Sequence, residues 1–166
     1  MSETFGRSAV WVMTAFSALG SGLVAGVFFA FSSFVMKGLT RLPAPHAISA
    51  MQSINITVIN PLFMSVFLGT GICSLVLAVF SLPTLRRPDG LLLLAGCLLY
   101  LLGSVGTTMV FNVPLNNALA TADAASADAA GIWARYLAAW TLWNHVRAIA
   151  SVLAAATFVA SLLQRR

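Results

Sequence analysis

The chain has 166 residues, 60% of them hydrophobic and only 8% charged, with a mean hydropathy of +0.94. A water-soluble domain of this length carries about a quarter charged residues, so the composition excludes an ordinary soluble globule and points to one integral membrane domain. The net charge of +5 comes from basic residues standing singly or in pairs, as beside membrane spans; no basic stripe with interleaved aromatics occurs, so no nucleic-acid partner is expected.

In chain order, Met1–Ser8 is a short polar start with Glu3 and Arg7, and no charged residue follows from Ala9 to Met36. That run can cross a ~30 Å hydrocarbon layer with some tilt and is span one, about 9–36. It is too long for the core of a secretion signal and lacks a small-residue cleavage site, so no cleavable leader is expected. Ala18, Gly22, Gly26 and Ala30 recur at every fourth position. Their spacing predicts a strip of small residues against which another helix packs, from the same chain or from a second copy in a homo-oligomer.

Lys37 and Arg41 mark a membrane boundary, Pro43 and Pro45 break the helix, and His46–Ile59 is read as a short interfacial helix. Asn60-Pro61 has the chemistry of a helix start, with Asn as N-cap and Pro at the first helical position. Span two follows over about 61–82; a continuous helix kinked at Pro61 is the competing reading. Pro83–Gly90, with Arg86, Arg87 and Asp89, is a tight connection to span three, about 91–111. Asn112-Val113-Pro114-Leu115-Asn116-Asn117 is a polar cluster at the far edge, and Thr121–Ala130 is an Ala/Asp-rich turn or surface loop. From about Ala127 to Leu163 nothing breaks a helix; residues 146–163 make span four, and the first half projects beyond it.

The predicted fold class is therefore all-α: an integral membrane four-helix bundle over residues 1–166, a single domain. It has a long fourth helix extending past the membrane and a short interfacial helix between spans one and two. Four spans put both termini on one side, with Arg7, Arg86, Arg87, Arg165 and Arg166 facing Lys37, Arg41, Arg135 and Arg147 across the bilayer. The bias favours cytoplasmic termini and, for a bacterial source, the inner membrane.

The residues able to carry chemistry gather in Trp140-Thr141-Leu142-Trp143-Asn144-His145-Val146-Arg147. The chain has four carboxylates, and only Asp123 and Asp128 share a side with Arg147. Its guanidinium therefore either snorkels to lipid phosphate or meets amide oxygens, carbonyls or an anionic ligand such as an enolate or phenolate. At about 100° per residue, Trp133, Tyr136, Trp140, Trp143, Asn144 and Arg147 share one face of a helix, whereas His145 points toward the side of Thr141 and Ala148. Arg147 with its amide neighbours is thus the stronger candidate, and His145 is either an interfacial histidine or a base reaching a pocket round the helix. Trp140 and Trp143 serve either as an interfacial belt or as a stacking surface. Asn60 is explained as a cap; Asn55, Asn112, Asn116 and Asn117 either line a polar pocket or satisfy helix ends. With two histidines, His46 and His145, and no ligand spacing, no metal site is expected. Cys73 and Cys97 lie in apolar runs without a CxxC pair, which counts against a thiol–quinone oxidoreductase.

Phe28-Phe29-Ala30-Phe31, Met51-Gln52-Ser53-Ile54-Asn55, Asn60-Pro61-Leu62-Phe63-Met64, the Asn112–Asn117 cluster and the Trp140–Arg147 stretch together resemble the anthrone oxygenase-like membrane family (DUF1772). The resemblance covers nearly the whole chain. It implies a membrane-embedded oxygenase that oxidises an anthrone-type or other hydroxylated aromatic or quinol with O2 as co-substrate and no further cofactor. In that scheme His145 is the base, Arg147 with Asn144 and Asn112 stabilises the oxyanion, and Trp140 and Trp143 stack on the rings. Asn116, Asn55 and Asn60 then border the substrate. The alternatives are a non-catalytic bundle that binds a quinone or lipid, and an accessory subunit of a membrane complex. The expected partners are the lipid bilayer and an aromatic or quinone-like small molecule.

Overall fold

A computed structural model describes the backbone of residues 2–164 and the side chains of residues 6–164. The side chain of Glu3 and the pair Arg165-Arg166, used above as orientation signals, lie outside the described residues. The first helix, α1, runs Ser2–Ala30, widens into π-helical turns over Phe31–Val35 and closes as α-helix over Met36–Leu39. A short helix α2 follows at Ala44–Thr57, then α3 at Pro61–Ser81 with a 3-10 turn at Leu82–Thr84. The next rod, α4, spans Pro88–Ala120 with π-helical stretches at Leu99–Gly106 and Thr108–Asn112, and α5 spans Ala129–Gln164.

Four of these helices, α1, α3, α4 and α5, are long and apolar enough to cross a membrane, and no strand occurs among the described residues. The protein is an all-α, multi-pass membrane bundle. At 36 residues, α5 is about 54 Å long, well beyond the ~30 Å of a hydrocarbon core. Asn60 decides between a cap and a kink: its backbone is extended (φ −119°, ψ 157°), and its side-chain oxygen accepts from the Phe63 N–H at 3.0 Å. Pro61 therefore begins a new helix.

Around the bundle, α1 lies between α3 and α5, and α4 closes the ring between the same two helices. Two apolar cores result. The membrane core joins Val24 and Phe28 to Phe67, Leu77, Leu93, Tyr100, Ala154 and Phe158. The second, at the end where α2 packs, joins Met36, Ile48, Met51 and Leu119 to Trp133, Tyr136 and Trp140. Gln52 fixes α2 there by donating to the carbonyls of Leu119 and Ala122 at 2.8 and 3.1 Å, satisfying acceptors that the end of α4 leaves open.

Within the chain, the small-residue strip does not serve as the packing face of α1. Gly22 and Gly26 are exposed, and a Cβ on either would meet nothing within 4 Å. The buried face of α1 carries Thr14, Ser17, Ala18, Ser21, Val24, Ala25 and Phe28. A strict four-residue repeat drifts by about 40° per step, so the row from Ala18 to Ala30 winds off the contact face. Close approach occurs at other glycines: Gly20 against Thr70, Gly103 against Ala150, and Gly96, where a Cβ would sit 2.8 Å from the Phe158 ring. Gly96→Ala is therefore expected to lower unfolding stability in detergent by about 1–3 kcal/mol, whereas Gly22→Ala stays within about 0.5 kcal/mol of the parent.

Candidate functional site

The two cores meet at a polar seam, and its centre is Arg147. It stands three residues after Asn144 and seven after Trp140, on the buried stripe of α5. Arg147 is 5% exposed. One terminal nitrogen donates to Asn144 Oδ1 at 2.7 Å, and the other donates to Thr108 Oγ1 at 3.3 Å. The guanidinium carbon lies 4.2 Å from the Phe28 ring centroid and 5.1 Å from that of Trp140. Its Nε has no partner among the described residues, and neither ion pair found there involves it.

A lone buried cation costs several kcal/mol of desolvation. Cation–π contacts return about 0.5–2 kcal/mol each, and a charge-assisted hydrogen bond about 1.5–3. Such a group contributes little net stability, and its place in the fold calls for another reason.

The amide of Asn144, fully buried, passes the charge onward. Having accepted from Arg147, it donates through Nδ2 to the Phe28 carbonyl at 2.8 Å and to Ser32 Oγ at 2.7 Å. Ser32 lies on the π-helical turns of α1, and its own proton has no acceptor among the described residues. That hydroxyl lines a shallow groove of about 430 Å³ between α1 and α5. Lys37 and Thr40 line the same groove from α1, with Leu137, Thr141 and His145 from α5. One branch of the series, Arg147 to Asn144 to Ser32, runs toward the groove, while Arg147 also holds Thr108 and Asn144 also holds the Phe28 carbonyl. Each bond in such a chain polarises the next.

His145, which helical geometry separates from Arg147, is exposed on the groove wall. The two groups thus work on opposite sides of Asn144 and share no direct contact. Thr141 Oγ1, also on that wall, is buried without a partner.

The other amides form a girdle around Trp140. Asn112, fully buried, donates to the Trp140 carbonyl at 3.2 Å and leaves its own oxygen unpartnered. Asn116 Oδ1 accepts from Trp140 Nε1 at 2.8 Å and from the Tyr136 hydroxyl at 3.0 Å, while Asn55 Nδ2 reaches that hydroxyl at 3.5 Å. Asn112, Asn116 and Asn55 therefore converge on Trp140 and Tyr136, and the Trp140 ring lies against the Arg147 guanidinium. Asn60 does not join them, and Asn117 is exposed. Trp140, 4% exposed, is enclosed between Arg147, Phe31 and Tyr136. The half-buried Trp143 has one face covered by Phe111, stacked at 3.5 Å and 6°. Among the described residues no three His, Cys, Asp or Glu side chains come together.

A family model described as anthrone oxygenase matches residues 62–157, more than half of the chain. The chain belongs to the anthrone oxygenase family. No match appeared among curated proteins or among solved structures. The segment shared with the anthrone oxygenase family contains Asn112, Asn116, Trp140, Trp143, Asn144, His145 and Arg147. Ser32 and Phe28 come from outside it, on α1, the helix that completes the donor chain. Membership gives a membrane oxygenase-like protein.

Proposed function

We propose that the protein oxidises an acidic, hydroxylated aromatic of the anthrone or quinol type with O2, holding it in the groove between α1 and α5. The observation that carries this reading is the donor chain from Arg147 through Asn144 to the hydroxyl of Ser32. A buried cation made to act through oriented hydrogen bonds favours negative charge where the chain ends, without being solvated itself. An anthrone gains such charge on its oxygen when its methylene loses a proton, because the conjugate base is an aromatic phenolate-type anion.

His145, on the opposite wall, carries an imidazole able to accept that proton. The anion then reduces O2, forming a C–O bond, and the resulting hydroperoxide loses water to leave a carbonyl. In sum a CH2 group and O2 become C=O and H2O. The substrate supplies all the electrons, so O2 is the only co-reactant this reading requires. Arg147 and Asn144 act as positioning residues, and Ser32 and His145 as catalytic ones. The flat substrate lies along Leu137 and Thr141, while Trp140 packs behind them against Arg147.

The protein reconstituted in lipid with an anthrone is expected to consume O2. His145→Gln and Ser32→Ala should each lower that rate by about a hundredfold. Undiminished uptake in both variants would sink the assignment. Saturable binding of a quinone with no O2 uptake would instead favour a non-catalytic binding protein.

A further inference from the structure

A second groove, of about 680 Å³, lies at the other end of the bundle, between the start of α1 and the α3–α4 connection. Its wall is apolar, with Val10, Trp11 and Val12 from α1 and Phe80 from α3; Trp11 and Phe80 are more than half exposed. Its mouth is basic, with Arg7 and Arg87 beside Ser8 and Thr84. Asp89, which also borders it, is 8% exposed and binds Arg87 through Nε at 3.0 Å, while the Arg87 side chain is 61% exposed. The pair therefore orients Arg87 by one nitrogen and leaves its terminal fork facing outward. Arg86 adjoins this mouth in sequence, and Asp89 is the only carboxylate at this end among the described residues.

We propose that this groove binds one anionic phospholipid, with the phosphate between Arg7 and Arg87 and an acyl chain against Trp11, Val12 and Phe80. Two features select that occupant. Both α1 and α3 enter hydrocarbon here, so the guanidiniums sit at headgroup level and the apolar wall at acyl level. A soluble anion would have no use for that wall, and a zwitterionic headgroup brings a cation of its own to a basic mouth. Guanidinium forks match phosphate oxygens in geometry as well as charge. This groove shares no lining residue with the α1–α5 groove.

The test uses the full chain in phosphatidylcholine bilayers containing a small, equal fraction of brominated phosphatidylglycerol or brominated phosphatidylcholine. Tryptophan quenching is the readout. Quenching by the brominated phosphatidylglycerol is expected to be stronger, and Trp11→Phe should abolish the difference. Arg7→Gln and Arg87→Gln are each expected to reduce the preference about fivefold. Arg7 has no ion-pair partner among the described residues, so its variant decides the matter if Arg87→Gln unfolds. Equal quenching by the two lipids overturns the proposal. So does an equal loss in Arg86→Gln, which would mean diffuse surface charge, or displacement by millimolar inorganic phosphate, which would mean a soluble-anion site.

Discussion

Arg147→Met is expected to leave the bundle folded while turnover of an acidic aromatic falls by about a hundredfold or more. The two halves of this result have different causes. Removing the guanidinium leaves Asn144 Oδ1 without its donor, a cost of about 1–3 kcal/mol, but it also removes a cation buried without a carboxylate partner. Replacing buried charge by an apolar side chain of similar volume is often neutral or stabilising. The unfolding midpoint in detergent should accordingly stay level or rise. Turnover behaves otherwise, because the polarisation of Ser32 originates in that charge. Arg147→Lys keeps the charge but cannot hold Asn144 and Thr108 with one planar fork, so it should recover only part of the rate. Parallel losses of stability and turnover in Arg147→Met would show that the residue is structural.

Asn144→Ala is expected to be the most damaging single change to stability, about 3–5 kcal/mol, because it deprives a buried cation of its best acceptor. It also strips the Phe28 carbonyl of a donor and opens the α1–α5 contact. The double variant Asn144→Ala/Arg147→Met should be more stable than Asn144→Ala alone. Unfolding in detergent across the four-member cycle reads this coupling, expected at about 1–3 kcal/mol. Additive losses would mean that the amide and the guanidinium do not depend on each other.

How much of this was legible in the residues alone varies with the distance over which the contacts act. The spans follow from apolar length, and the start of α3 from Asn60-Pro61, because those signals are local. Of the predicted face, Trp133, Tyr136, Trp140, Asn144 and Arg147 are buried as one helix's geometry suggests, while Trp143 is half-buried at its edge. Ser32 carried no such signal. A serine in an apolar span looks like a small packing residue, and its partner Asn144 is 112 positions away. Periodicity on α5 correctly separates His145 from Arg147, but it cannot show that α1 supplies a hydroxyl linking their two sides. Nor did any residue in Phe31–Val35 mark the widened turns there. The row of Ala18, Gly22, Gly26 and Ala30 does not follow the contact face within the chain, because even spacing along a chain is not constancy of face on a helix.

Those widened turns also affect the arithmetic of chain length. A π-helical segment holds more residues per turn than an α-helix, so α1 contains residues that an unbroken α-helix between the same end points would lack. Deleting one residue from an ordinary helix rotates everything beyond it by about 100°. At Leu19, for example, that would swing Phe28 and Ser32 away from Asn144. A deletion at Ser33, inside the widened turns, has slack to absorb it by tightening them toward α-helix, so Met36 and Leu39 could keep their seats in the second core. The surplus residue thus makes Phe31–Val35 the place where α1 can change length, and with it the orientation of the Ser32 hydroxyl, without repacking the bundle.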